Sequence, residues 1–175
     1  VPTAFQGFTA ESFDFFEELG RNNQKAWFDA HRDCYEQKVV GAFRGLLHSL
    51  TPALLKLNPH FEVGGKTNGS FSRINRDIRF SKDKSPYKSN FYLYAYDGRQ
   101  ERGHSGRLYV GLSADCLTVG FSIYASWRGP KGALETVFRP RLAAERGLFE
   151  TLLTRVIRAH RYETYWHREE SGDWG

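Results

Sequence analysis

The stretch Arg73-Ile74-Asn75-Arg76-Asp77-Ile78-Arg79-Phe80-Ser81-Lys82-Asp83-Lys84-Ser85-Pro86-Tyr87-Lys88 holds the residues of this chain best suited to chemistry. Guanidinium groups recur at Arg73, Arg76 and Arg79. Each presents parallel donors to a phosphate or carboxylate, and several together can hold a multiply charged group. Lys84, Tyr87 and Lys88 sit on a loop stiffened by Pro86 that could close over such a group. The candidate ligand-binding set is therefore Arg73, Arg76, Asp77, Arg79, Lys84 and Tyr87, and the expected partner is an anionic small molecule or a phosphate group.

Two conformations fit the spacing. In a strand, Arg73, Asn75, Asp77 and Arg79 share one face and Arg76 falls among Ile74, Ile78 and Phe80, half-buried. In a helical turn, Arg73, Arg76 and Asp77 form an i, i+3, i+4 ladder. A half-buried guanidinium must be paired, so either Asp77 neutralises one arginine and leaves others free, or an external anion completes the set. The competing reading is an internal Arg and Asp network that pins the loop to the helices, with Phe80 and Tyr87 packing. An aspartate amid three arginines has a depressed pKa, which favours an orienting role for Asp77 over that of a base.

The charge balance supports an anion partner. The net charge is +5, and the 23 residues from Lys66 to Lys88 hold seven basic and two acidic residues, so the remainder of the chain is neutral. A concentrated surplus attracts an anion, whereas diffuse basicity mainly affects solubility. The same cations, with Tyr92, Tyr94 and Tyr96 on one sheet face as a stacking platform, make a nucleic-acid module the alternative. Against it, the tyrosines equally suit a second buried face beneath helices. A third reading is a noncatalytic interaction domain with a flat aromatic patch.

Other motifs fall short. Gly65-Lys66-Thr67 lacks the glycine five positions earlier, where His60 stands, so no phosphate loop is present. Gly103-His104-Ser105-Gly106 lacks the spacing of a nucleophile elbow. The six histidines are all at least seven positions apart, and neither a metal nor a cofactor is expected. His31, on a helix stripe with Trp27 and Tyr35, reads as a packed, hydrogen-bonded residue. Cys34 and Cys116 form no short pair, which excludes a disulfide scaffold. Residues 1–10 have no secretory pattern, and Asn68-Gly69-Ser70 reads as a turn and not as a glycosylation acceptor. A cytoplasmic location follows as the expectation. The absence of Met implies that these 175 residues are not the whole translated chain.

The elements that must position the basic stretch are legible from periodicity. A 175-residue chain with 40% hydrophobic and 26% charged residues suits one globular domain, residues 1–175, with apolar runs too short to cross a bilayer, so no membrane partner is expected. Phe13, Phe16 and Leu19 predict a helix over 10–19 capped by Thr9 and ending at Gly20. Asn22 and Asn23 offer a second cap before a helix carrying Trp27, Phe28, His31 and Tyr35. Val39, Phe43, Leu46, Leu47, Leu50, Leu54 and Leu57 continue that period to Asn58-Pro59, with a bend at Gly41 or Gly45. Alternation then predicts three strands through Phe91 to Tyr96, Leu108 to Leu112 and Leu117 to Tyr124, joined as an antiparallel meander with a tight turn at Ser113 to Cys116. Phe61 to Val63 and Phe71 to Ile74 are candidate neighbouring strands. Pro130 opens a helical stretch with Leu134, Phe138 and Leu142 on one face and a kink at Pro140, and Leu148, Leu152 and Val156 mark a last helix. The expected class is α+β: N-terminal helices, a central antiparallel β-meander, and C-terminal helices packed on the sheet.

The order Arg, two residues, Arg-Asp, one residue, Arg-Phe, then Asp83-Lys84 and Tyr87, resembles the signature of DUF2461, a bacterial family of uncharacterised proteins. Phe13, Phe16, Asn22, Asn23, Trp27, Phe28, Arg32 and Tyr35 resemble that family's opening pattern. The resemblance implies a bacterial or fungal cytosolic protein of somewhat greater length, extending past Gly175, and it supplies no reaction.

Overall fold

The computed structural model describes residues 5–100, 106–123 and 138–158. Helix α1 spans Ala10–Arg21 and buries Phe15, Phe16 and Leu19. Thr9 stands at its N-cap with extended backbone, but its side chain makes no capping bond. The neighbouring Ser12 hydroxyl instead donates to the Lys38 carbonyl at 2.7 Å, tying α1 to the next helical segment. The helix continues past Gly20 and ends at Asn22, whose backbone and side-chain N–H groups both donate to the Glu18 carbonyl.

The second helical stretch is broken into α2 (Lys25–Ala30), α3 (Arg32–Cys34), a π-helical turn (Tyr35–Val40) and α4 (Gly41–Leu57). The bend expected at the glycines thus appears as a wide turn just before Gly41, where an added Cβ would meet the Glu36 carbonyl at 3.3 Å. α4 tolerates Pro52 in its interior. Phe28, Tyr35, Val39, Phe43 and Leu47 turn into a core closed by Phe71, Phe91 and Leu93. Part of the ring-rich composition is spent here: Phe15, Phe28, Tyr35, Phe43, Phe71 and Phe91 meet at centroid distances between 5.1 and 6.2 Å.

The sheet is the expected antiparallel meander of β1 (Asn90–Tyr96), β2 (Gly106–Ser113) and β3 (Leu117–Ile123), in the order β1-β2-β3. Opposite Phe91, Leu93 and Ala95 stand Leu112, Val110 and Leu108, which assigns these residues to the core face. Tyr92 and Tyr94 pair with Gly111 and Tyr109 on the other face. Glycine is needed there: a Cβ at Gly111 would lie 2.2 Å from Tyr92 Cε1 and 2.7 Å from Thr118 Oγ1. One at Gly120 would lie 2.8 Å from the Tyr109 hydroxyl.

Along the free edge of β1, the segments proposed as extra strands make isolated bridges only, Phe61 with Asp97 and Phe71 with Leu93. Between them, residues 64–70 turn tightly. Gly65 and Asn68 adopt positive φ, +65° and 64°, and the Gly69 N–H donates to the Lys66 carbonyl, so Asn68-Gly69 is the turn its sequence suggests.

After the sheet come α5 (Arg139–Ala144), with Pro140 in its first turn and not at a kink, and α6 (Arg146–Arg158). Among the described residues the two contact each other more than any strand, so the expected packing of the C-terminal helices on the sheet is not seen: Leu148, Phe149 and Leu152 of α6 are exposed, as are Leu117, Val119 and Phe121 of β3. Pro130 and Leu134, with Tyr124 and His104, lie outside the described residues. Among the described residues no helix is long and apolar enough to cross a membrane.

Candidate functional site

The basic stretch is neither a strand nor a helical turn. It leaves the edge of β1 at Ser72, whose N–H donates to the Tyr92 carbonyl at 2.8 Å, and then runs as an irregular hairpin. The hairpin is closed by a bridge between Asn75 and Tyr87, with Arg76 N–H donating to Pro86 O at 2.9 Å and Lys88 N–H to Ile74 O at 2.8 Å. Residues 77–85 form its loop.

Two side chains, Asn23 and Tyr87, anchor the base of the hairpin to the helices. The Asn23 carboxamide accepts from the Tyr87 N–H and donates to the Tyr87 carbonyl, both at 3.0 Å. The Tyr87 ring is buried and stacks on Phe28 with centroids 4.1 Å apart. Asn23 is therefore a clamp and not a helix cap, and Tyr87 belongs to the core and not to a closing lid.

Within the loop, Arg76 does the organising. Its side chain is 27% exposed and reaches three places at once: an ion pair with Asp83, the Ser85 carbonyl at 3.3 Å and the Ser81 hydroxyl at 3.4 Å. Asp83 in turn accepts from the Ser85 hydroxyl at 2.6 Å and the Ser85 N–H at 2.9 Å. These two bonds, with the Arg76 guanidinium, hold its carboxyl well below the usual range.

Asp77 takes Arg79, not Arg73 or Arg76. Its Oδ1 accepts from Arg79 Nε at 2.9 Å and from the Arg79 N–H, and its Oδ2 accepts from Nη2 at 2.7 Å. The hydrogen bonds from Arg79, supplemented by the nearby charge of Arg73, lower its pKa to about 2. The same device recurs at Asp97-Gly98-Arg99, where Asp97 binds the backbone N–H, Nε and Nη2 of the residue two places on. The repeated Asp-x-Arg spacing was a signal available in the sequence.

Besides Lys88, four cations of the segment lie outside these pairs. Among the described residues, the side chains of Lys66, Arg73 and Lys82 make no hydrogen bond or ion pair, and Lys84 Nζ donates to the Ile78 carbonyl at 3.0 Å. All four are exposed. Phe80, which the competing reading has packing, is 93% exposed, with the Arg79 guanidinium carbon 5.8 Å from its ring centroid. The six residues singled out from the sequence thus divide. Arg76 and Asp77 hold the loop together, Tyr87 fastens it to the core, Arg79 is fixed on Asp77, and Arg73 and Lys84 carry charge that no carboxylate matches.

The tyrosine row is less available than its alternation suggests. Tyr96 is buried, Tyr92 and Tyr94 are half-buried and stacked at 5.7 Å, and Arg107 lies 4.4 Å from the Tyr94 ring. His31 is exposed and stacked on Trp27 at 4.0 Å, with Nδ1 2.8 Å from the Trp27 carbonyl. Among the described residues no three His, Cys, Asp or Glu side chains gather where they could share a metal ion.

No curated protein and no solved structure matches the chain. A family model described as conserved hypothetical protein (DUF2461) matches residues 11–162, a span that holds the Asn23 clamp, the basic hairpin and the whole sheet. With most of its length matched, and with both of the separated patterns that carried the resemblance inside that span, the chain belongs to the DUF2461 family.

Proposed function

We propose that the hairpin loop of residues 73–88 binds an anionic, phosphate- or carboxylate-bearing ligand, with Arg73, Lys82 and Lys84 meeting its charge. The observation that carries this reading is the mismatch left after internal pairing. Asp77 and Asp83 neutralise Arg79 and Arg76, yet among the described residues the exposed side chains of Lys66, Arg73, Lys82 and Lys84 make no ion pair with a carboxylate. An organised loop presents these charges at little ordering cost, which favours binding over a flexible basic tail. Asp77 serves as an orienting group. With both oxygens engaged by Arg79 and a pKa of about 2, it holds no proton to exchange near neutrality. The proposal keeps the cytoplasmic setting expected from the sequence.

The test is a calorimetric titration of the folded protein with inorganic pyrophosphate at low ionic strength, repeated for the Arg73→Ala, Lys84→Ala double variant and for Lys56→Ala on α4 as control. Binding that weakens in the double variant and persists in the control supports the reading. Failure of the wild type to bind, or equal binding by the double variant, overturns it.

A further inference from the structure

Resting on that reading, we infer that the ligand is a single-stranded nucleic acid, one of whose bases stacks on Phe80 while adjacent phosphates lie against Arg73, Lys82 and Lys84. Phe80 is the anomaly that motivates this. Phe15, Phe16, Phe28, Phe43, Phe71 and Phe91 are buried, and Phe80, at the tip of the most cationic loop, is 93% exposed, well beyond Phe121 at 59% and Phe149 at 42%. Leaving such a ring in water forgoes about 1.5–3 kcal/mol of burial, so the loop is not arranged for its own stability.

The loop that carries the ring is braced. Arg79 lies beside the ring at 5.8 Å and cannot swing freely, because Asp77 grips its Nε at 2.9 Å and Nη2 at 2.7 Å. Arg76 and Asp83 brace the loop from within, and Asn23 fastens its base. An exposed aromatic on a braced loop that also carries uncommitted cations is the minimal unit of single-strand binding: the ring offers a π-face to any base and the cations follow the backbone. Duplex bases are already stacked on one another and give a lone ring no face to occupy. The tyrosine face, half-buried and self-stacked, is not needed for this.

The test measures fluorescence anisotropy of a labelled single-stranded oligothymidylate, a duplex of the same length and, by sedimentation, vesicles of phosphatidylcholine with phosphatidylserine. The proteins are wild type, Phe80→Ala, Phe80→Leu and Phe80→Trp. Because Phe80 touches so little, all four should fold alike. Stacking predicts that Phe80→Ala weakens single-strand binding about 5- to 150-fold, that Phe80→Leu loses about as much because it has no π-face, and that Phe80→Trp retains the affinity. If Phe80→Leu binds the oligonucleotide like wild type, if duplex binds as tightly as single strand, or if only the vesicles bind, the inference is overturned. Oligonucleotide binding that ignores Phe80 but falls with Arg73→Ala sinks the stacking alone. Wild type that binds neither pyrophosphate nor oligonucleotide sinks both readings.

Discussion

Replacing Asn23 with alanine removes both hydrogen bonds that hold the Tyr87 peptide, each 3.0 Å long. Two neutral amide bonds contribute about 1–3 kcal/mol together, and their loss leaves a Tyr87 N–H and carbonyl unpaired beside a buried ring, which raises the expected cost to about 2–4 kcal/mol. The lower end applies where water reaches the vacated space. The aspartate variant is diagnostic. Asn23→Asp keeps an acceptor for the Tyr87 N–H but sets a second carboxylate oxygen against the Tyr87 carbonyl, so at neutral pH it should recover little of the loss. Urea unfolding should show a lower midpoint at an unchanged slope. Hydrogen exchange should quicken at the Arg76 and Lys88 amides, which bond across the hairpin to Pro86 and Ile74. A loss under about 0.5 kcal/mol with unaltered protection at those two amides would refute the clamp.

Two further outcomes are expected. Gly111→Ala should destabilise by about 1–3 kcal/mol, because its Cβ falls 2.2 Å from Cε1 of a Tyr92 ring that is stacked on Tyr94. Gly120→Ala should cost less, since it meets the hydroxyl end of Tyr109; thermal melts of the two variants compare them, and the reverse order would contradict the account. For pH, Asp77 has a folded pKa of about 2, below its ordinary value. Its contribution is present in full above the unfolded pKa of about 4 and is lost as pH falls through the folded one. Wild-type urea midpoints should therefore drop between about pH 4 and pH 2, and Asp77→Asn should flatten part of that drop, with Asp83 and Asp97 supplying the rest.

The elements and their order were legible because they depend on local periodicity. Phe91, Leu93 and Ala95 alternate with tyrosines, and Phe16, Leu19, Phe43 and Leu47 repeat at helical spacing. Burying either pattern requires the strand or helix observed. The turn at Asn68-Gly69 and the α+β order follow from the same near-neighbour physics, as does the concentration of charge between Lys66 and Lys88. The start of the first helix after Thr9 was legible too, whereas its end, expected at Gly20, was not, because the choice between neighbouring stop positions is worth about a kcal/mol or less.

What only the folded chain decided is which charge meets which. Asp77 had three arginines within reach along the sequence, and the path of the loop gave it Arg79, while Arg76 found Asp83 seven residues away. Asn23 and Tyr87 are 64 residues apart, and no spacing announces that one amide will hold the other's peptide. Nor does composition tell that Tyr87 turns into the core while Phe80, seven residues earlier, is left in solvent. Side-chain pairing depends on distances of a few ångströms, and those are set by tertiary packing long after the periodicity has chosen the helices and strands.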